Sequence, residues 1–172
     1  SVGANFAENY GHIEGGRFCV LALGRLGSED MTFGSDLDLV FLYDTPDFDA
    51  ISDGEKGFSA SVYYNRMTQR LLTALTALGR EGRLYEVDTR LRPSGKQGLL
   101  AVSIHAFRHY FESLAWTFEF MALTKARASA GDALMRTRPF GVSSAPSRPR
   151  VCAAASMSPA AASARVPAGV ST

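Results

Sequence analysis

Apolar positions along this 172-residue chain follow two rhythms, and the switches between them mark out its elements. Arg17-Phe18-Cys19-Val20-Leu21-Ala22-Leu23 is a short apolar run closed by Gly24, which predicts a buried strand. Gly24 to Gly34 holds three glycines and predicts a loop with room for one helical turn. Leu37 to Tyr43 is a second apolar run, entered by Asp36 and left at Asp44-Thr45-Pro46; a polar, acidic loop follows from Asp47 to Gly57. From Phe58 to Gly79 the spacing becomes helical, with Val62, Tyr63, Met67, Leu71, Leu72, Leu75 and Leu78 at three- and four-residue steps. Leu84 to Leu91 returns to strand alternation and is closed by Pro93. Ser103 predicts an N-cap for a helix carrying Ile104, Phe107, Phe111 and Leu114, and Trp116 to Ala130 predicts another that stops at Gly131. Within it, Trp116, Phe118 and Phe120 read as core. Strands alternating with helices, joined partly by hairpin-like links, give a mixed α/β or α+β domain: a small mixed sheet flanked by helices.

Charge divides the chain more sharply than its averages show. The whole chain carries a net charge of +1, which argues for neither a nucleic-acid field nor a disordered acidic protein. Through Asp132 there are 13 Lys and Arg against 17 Asp and Glu; beyond it there are five Arg and no acidic residue. Five of the seven prolines also fall beyond Arg136, among Ala and Ser runs without periodicity. That composition predicts a disordered tail over 133–172, with a basic arm for an acidic partner as the alternative reading. The abrupt switch is also what a change of reading frame would produce. Residues 1–15 read as a polar leader, leaving 16–132 as the folded domain. Two cysteines without a CxxC spacing offer neither a disulfide framework nor a zinc site. With no apolar h-region and no membrane-length apolar stretch, the expectation is a cytoplasmic protein with no membrane or nucleic-acid partner.

The chemistry concentrates in two segments. In Gly34-Ser35-Asp36-Leu37-Asp38-Leu39, strand periodicity points Asp36 and Asp38 to one face and Leu37 and Leu39 to the other. Paired carboxylates repel unless a cation sits between them. In Tyr85-Glu86-Val87-Asp88-Thr89-Arg90-Leu91-Arg92-Pro93 the alternation sets Glu86, Asp88, Arg90 and Arg92 on one face. If the two strands lie close, Asp88 becomes a third carboxylate, with Arg90, Arg92 and Lys96 of the next turn beside it. Three acids with these cations and a Gly-Ser turn suit a metal–nucleotide site, because magnesium takes a few carboxylates plus phosphate oxygens and two such ions can clamp an in-line displacement. Gly34 and Ser35 lie where backbone can approach a phosphate. His105 and His109, four apart on a helix, have zinc-ligand spacing but no evident third ligand.

The Gly34-Ser35-Asp36-Leu37-Asp38-Leu39 segment resembles the acidic signature of the polymerase β-like nucleotidyltransferases. More narrowly, Leu21 to Gly27, Gly34 to Tyr43, Tyr85 to Gly95 and Ala115 to Ala128 are similar to the glutamine synthetase adenylyltransferases. The Glu86-Val87-Asp88-Thr89-Arg90-Leu91-Arg92-Pro93-Ser94-Gly95 run is the most specific of these. The resemblance covers about 16–132 and departs at Arg25, where Lys is expected, and at Phe118 and Phe120, where Trp and His are expected.

The resemblance implies a nucleotidyltransferase domain that moves AMP from ATP to a tyrosine of glutamine synthetase. It implies two magnesium ions held by Asp36, Asp38 and Asp88, and phosphates touched by Gly34, Ser35, Arg90, Arg92 and Lys96. The Arg-Pro-Ser-Gly turn and the Ala-Trp-Thr run look like the AMP-attaching half of that family. The phosphorolytic AMP-removing half and a non-catalytic nucleotide- or partner-binding fragment are the alternatives. Contact with the nitrogen-signalling PII protein would involve regions beyond the resemblance.

Overall fold

A computed structural model describes residues 2–77, 85–132 and 135, all within the unit Ser1–Gly141. Its centre is an antiparallel pair, β1 (Arg17–Ala22) and β2 (Leu37–Asp44), in register from Arg17 opposite Asp44 to Ala22 opposite Leu39. The opposite edge of β2 takes two short parallel strands end to end. β3 (Val87–Asp88) pairs with Leu37 and Asp38, and β4 (Ala101–Ser103) pairs with Phe41 to Tyr43. The free side of β1 takes β5 (Arg127–Gly131), antiparallel with a register shift at Val20/Leu21. The mixed sheet with helices on both faces is the α+β architecture that the pattern predicts.

The sheet separates two cores. On one face Val20, Leu39, Phe41 and Tyr43 pack with Phe6 of α1 (Val2–Tyr10) and with Tyr63, Tyr64 and Met67 of α3 (Ala60–Thr76). On the other, Cys19, Leu21, Val40 and Leu42 pack against Ile104, Phe107 and Phe111 of α4 (Ile104–Ser113), and against Met135. Leu21, Val40, Phe41 and Leu42 are 0% exposed, because a strand sandwiched between two helical layers is apolar on both sides. Burial of each such side chain stabilises the fold by roughly 1.5–3 kcal/mol. Ser103 caps α4 as expected: its hydroxyl accepts the Ala106 N–H at 3.2 Å.

Several expectations need correction. The supposed polar leader contains α1, and Phe6, 1% exposed, stacks edge-on against Tyr63. One buried aromatic anchors a helix whose other residues are mostly small or polar. The helix expected from Phe58 begins at Ala60 and runs to Thr76; residues 78–84 lie outside the described residues. The strand expected over Leu84 to Leu91 shrinks to Val87–Asp88, because the chain turns away at Arg90. The helix expected from Trp116 to Ala130 is the short α5 (Thr117–Leu123), and Arg127–Gly131 becomes a strand instead. The open edge of β1 supplies ladder hydrogen bonds that override the helix propensity of this Ala-containing stretch. Trp116 and Phe118, read as core, are 72% and 67% exposed; Phe120 reaches only the edge of Phe111. The tail expected over 133–172 lies outside the described residues except for Met135.

Candidate active site

The candidate site forms where β2 begins. Two backbone hydrogen bonds hold that end from both sides: Leu37 N–H donates to Glu86 O at 2.8 Å, and Leu23 N–H donates to Asp38 O at 2.9 Å. The parallel register sets Asp38 directly beside Asp88. Neighbouring strands lie about 4.8 Å apart, so these two carboxylates project side by side. Asp36 precedes Asp38 by two residues. All three expected acids therefore come to one end of the sheet, on the face that farther along β2 buries Val40 and Leu42.

Their electrostatics show the crowding. The Asp38 pKa is raised, first by burial and then by the negative charges of Asp88 and Asp36, with Arg90 opposing. The Asp88 pKa is lowered, mainly because the Arg90 side chain hydrogen-bonds to it, with a backbone bond and the charges of Arg90 and Lys96 assisting against burial. Arg90 N–H donates to Asp88 Oδ1 at 2.8 Å, its Nε donates to Oδ2 at 2.7 Å, and its Nη2 makes a short ion pair with the same oxygen. The α2 turn (Gly24–Gly27) closes the other side. Gly24 has φ +52°, and a Cβ there would stand 2.3 Å from Asp38 Oδ2, so only glycine lets the backbone pass the carboxylate.

A cleft of about 360 Å³ opens in front of Asp36 and Asp38, lined also by Arg25, Thr32, Phe33, Gly34 and Ser35; Asp88 stands beside Asp38 and is not part of that lining. Gly34 has φ +83° and nothing within 4 Å of its missing Cβ, so the turn stays open to an incoming group. Ser35 lines the cleft, and its hydroxyl is engaged within the loop. It is 9% exposed, and its hydroxyl accepts Thr32 N–H at 3.1 Å and an Arg25 N–H at 3.3 Å. Arg25 also donates to Thr32 Oγ1 at 2.5 Å. The hydroxyl thus shapes the loop, and Arg25 is the cleft-lining cation that the sequence reading left out. Its signals are a basic residue straight after Gly24 and the Lys expected at this position from the family resemblance.

Arg90, Arg92 and Lys96 do not act as one basic face. Alternation stops with β3, and the two arginines diverge. Arg90 remains exposed, whereas Arg92 is 6% exposed with its guanidinium inside the following loop. Arg92 donates to Thr89 O at 2.5 Å, Thr89 Oγ1 at 2.9 Å, Gly98 O at 3.2 Å and Lys96 O at 3.4 Å. Expected as a phosphate ligand, Arg92 instead clasps the loop from 89 to 98, and burial lowers its pKa. Lys96 lies in the 3-10 turn Gly95–Gln97, exposed and close enough for its charge to act on Asp88.

Three crowded carboxylates form an all-oxygen donor set of the kind a hard divalent cation accepts. Among the described residues, no three His, Cys, Asp or Glu side chains stand close enough to hold an ion as they lie. Asp88 is turned to Arg90. His105 is not part of such a group either: its Nε2 lies 3.8 Å from Asp44 Oδ1 and its ring rests against Phe48. No helix among the described residues is long and apolar enough to cross a membrane.

Comparison with known proteins places this geometry in a family. A family profile described as glutamate-ammonia ligase adenylyltransferase matches residues 3–144. The bifunctional glutamine synthetase adenylyltransferase/adenylyl-removing enzyme of Mesorhizobium japonicum is 51% identical over 132 residues, which is 77% of this chain and 13% of that protein. Its counterpart in Brucella suis is 50% identical over 132 residues, with the same shares, 77% and 13%. The Rhodopseudomonas palustris protein is 45% identical over 137 residues, 80% of this chain and 14% of that protein. The chain thus spans 13–14% of the length of these curated relatives. Its acids, its Gly-Ser turn and its Arg-clasped loop all fall within the matched residues, and the chain belongs to the glutamate-ammonia ligase adenylyltransferase family.

Proposed function

We propose that this domain transfers AMP from ATP to a tyrosine hydroxyl of glutamine synthetase, releasing pyrophosphate. The observation that carries this reading is the register of β2 and β3, which sets Asp38 beside Asp88 with Asp36 two residues away, at the mouth of an open cleft. Family membership supports the reaction class, and the relatives' printed names supply glutamine synthetase as the target.

In this reading Asp36, Asp38 and Asp88 hold two magnesium ions. Bound there, the ions would neutralise the triphosphate and lower the cost of charge building up in the transition state. The open backbone at Gly34 receives phosphate oxygens, and Arg25 adds positive charge in the cleft. Arg90 and Lys96 stabilise the departing pyrophosphate. Arg92 keeps the loop that carries Lys96 in place. The tyrosine oxygen attacks the α-phosphorus as the bond to pyrophosphate breaks, and its proton passes to the carboxylate side of the site. A phenol pKa near 10 makes that proton acceptor necessary at neutral pH. The cytoplasm is the compartment in which ATP and glutamine synthetase would meet this domain. Any PII contact would belong to parts of the family protein outside this chain.

The relatives' name also carries removal of AMP, for which the same three acids would serve. Phosphate-dependent release of ADP from modified glutamine synthetase would assign this domain to that reaction. The direct test is incorporation of labelled AMP into glutamine synthetase by the 172-residue chain and by Asp38→Asn. Loss of at least about 100-fold in the folded variant is expected from removing one charge-stabilising group. Undiminished incorporation would remove Asp38 from the chemistry.

A further inference from the structure

Arg90 and Asp88 make the tightest polar contact in the site, and it stands where the proposed chemistry needs Asp88 free. Three donors of Arg90 converge on one carboxylate: its backbone N–H on Oδ1, and Nε and Nη2 on Oδ2. The guanidinium itself faces solvent, with its side chain 64% exposed against 17% for Asp88. Nothing packs it down, in contrast to the buried Arg92 two residues on. Arg90 is therefore an exposed charge hydrogen-bonded to Asp88, with the charges of Asp36 and Asp38 also attracting it. Among the described residues no three acids stand close enough to hold an ion as they lie, and the Asp88 carboxylate that would join Asp36 and Asp38 carries the Arg90 side chain.

We propose that Arg90 is an exchangeable stand-in for the divalent cation at Asp88: it occupies the carboxylate in the empty site and swings to the phosphates of the nucleotide when cation and ATP arrive together. This deepens the reading under Proposed function and rests on it. The route is direct, because Asp88 is the register partner of Asp38, and Asp38 lines the cleft. A guanidinium fork suits phosphate oxygens as well as it suits a carboxylate. The exchange has a thermodynamic consequence. In the empty site Arg90 competes with a metal ion for Asp88, so it weakens the binding of cation alone. In the loaded site it adds a phosphate contact, so it strengthens the binding of cation with nucleotide. The site would thereby favour the cation–nucleotide complex over either component, a coupling that operates through one side chain.

The test measures Mn2+ binding to the 172-residue chain by the electron paramagnetic resonance of free Mn2+, without nucleotide and then with a non-hydrolysable ATP analogue. Arg90→Gln should bind Mn2+ alone about fivefold more tightly than the wild type, the upper end for an exposed ion pair. The same variant should bind the Mn2+–analogue complex more weakly. Arg90→Lys, which keeps the charge without the fork, should fall between the two in Mn2+ affinity. Circular dichroism confirms that both variants are folded, and the lysine variant carries the test if the glutamine variant is not. Mn2+ binding that is lost in Asp38→Asn but unchanged in both Arg90 variants would overturn the exchange while leaving the carboxylate site intact. Mn2+ binding indifferent to Asp38→Asn would overturn the site reading and the exchange with it.

Discussion

The two ends of β2 share a backbone geometry and little else. Both pair in parallel along the same edge, Leu37–Asp38 with β3 and Phe41–Tyr43 with β4. At the far end every inward side chain is apolar, and Phe41 and Leu42 are 0% exposed. At the near end the same pairing brings two carboxylates side by side, with a third close enough to raise the Asp38 pKa. One end lowers the energy of the fold, and the other holds like charges together at a cost. Stored repulsion of this kind persists only where a rigid neighbour maintains it, and here the neighbour is the same strand a few residues on.

The contrast can be broken most severely at the apolar end. Phe41→Ala should cost about 3–5 kcal/mol of unfolding free energy, measured by denaturant titration, because the cavity lies between two packed layers. A cost below about 1 kcal/mol would mean that the apolar end of β2 is not where the fold draws its stability. Arg92→Met attacks the loop that carries the basic residues past Asp88. It leaves the Thr89 and Gly98 carbonyls without their guanidinium donor and should cost about 1–3 kcal/mol. It should also weaken ATP binding, even though Arg92 itself is turned away from the cleft.

The smallest effect has the opposite sign. With no divalent cation present, Asp38→Asn should stabilise the domain by up to about 1 kcal/mol, the figure being limited by solvent screening. The pH dependence follows from the two shifts. The Asp38 pKa is raised above 3.8 in the folded state, so its contribution improves as pH falls through that raised value. The Asp88 pKa is lowered below 3.8, so the stability it lends is present above 3.8 and is lost as pH falls through the lowered value. Thermal unfolding between pH 6 and pH 3 should therefore show the Asn variant's advantage shrinking as Asp38 protonates in the wild type. An Asn variant less stable than the wild type at neutral pH would contradict stored repulsion.

Much of this site was legible in the sequence, because strand alternation is a local rule. The apolar runs at Arg17 to Leu23 and Leu37 to Tyr43 have no other way to bury both faces, and the Asp-x-Asp spacing follows from the second run. The same rule failed past Asp88. Alternation extrapolated Arg90 and Arg92 onto one face, but β3 stops at Asp88 and the loop closes around a buried guanidinium, a long-range arrangement that no spacing encodes. Arg127–Gly131 was misread for a similar reason: its partner is β1, more than a hundred residues earlier, and the ladder there outweighs local propensity. The helix at Val2–Tyr10 was missed because one aromatic, Phe6, supplies most of its anchoring, and a single apolar residue has no period. The place of Arg25 in the cleft and the role of Thr32 are not legible in the sequence, because their partnership with Ser35 spans a glycine-containing loop.

The proposed chemistry requires Asp36, Asp38 and Asp88 to act on nucleotide through shared cations. The most direct measurement is calorimetric titration of ATP into the 172-residue chain with and without Mg2+, repeated with Asp38→Asn. Mg2+ should tighten ATP binding to the wild type, and the variant, still folded, should lose this dependence. Equal Mg2+ enhancement in both proteins would contradict that requirement.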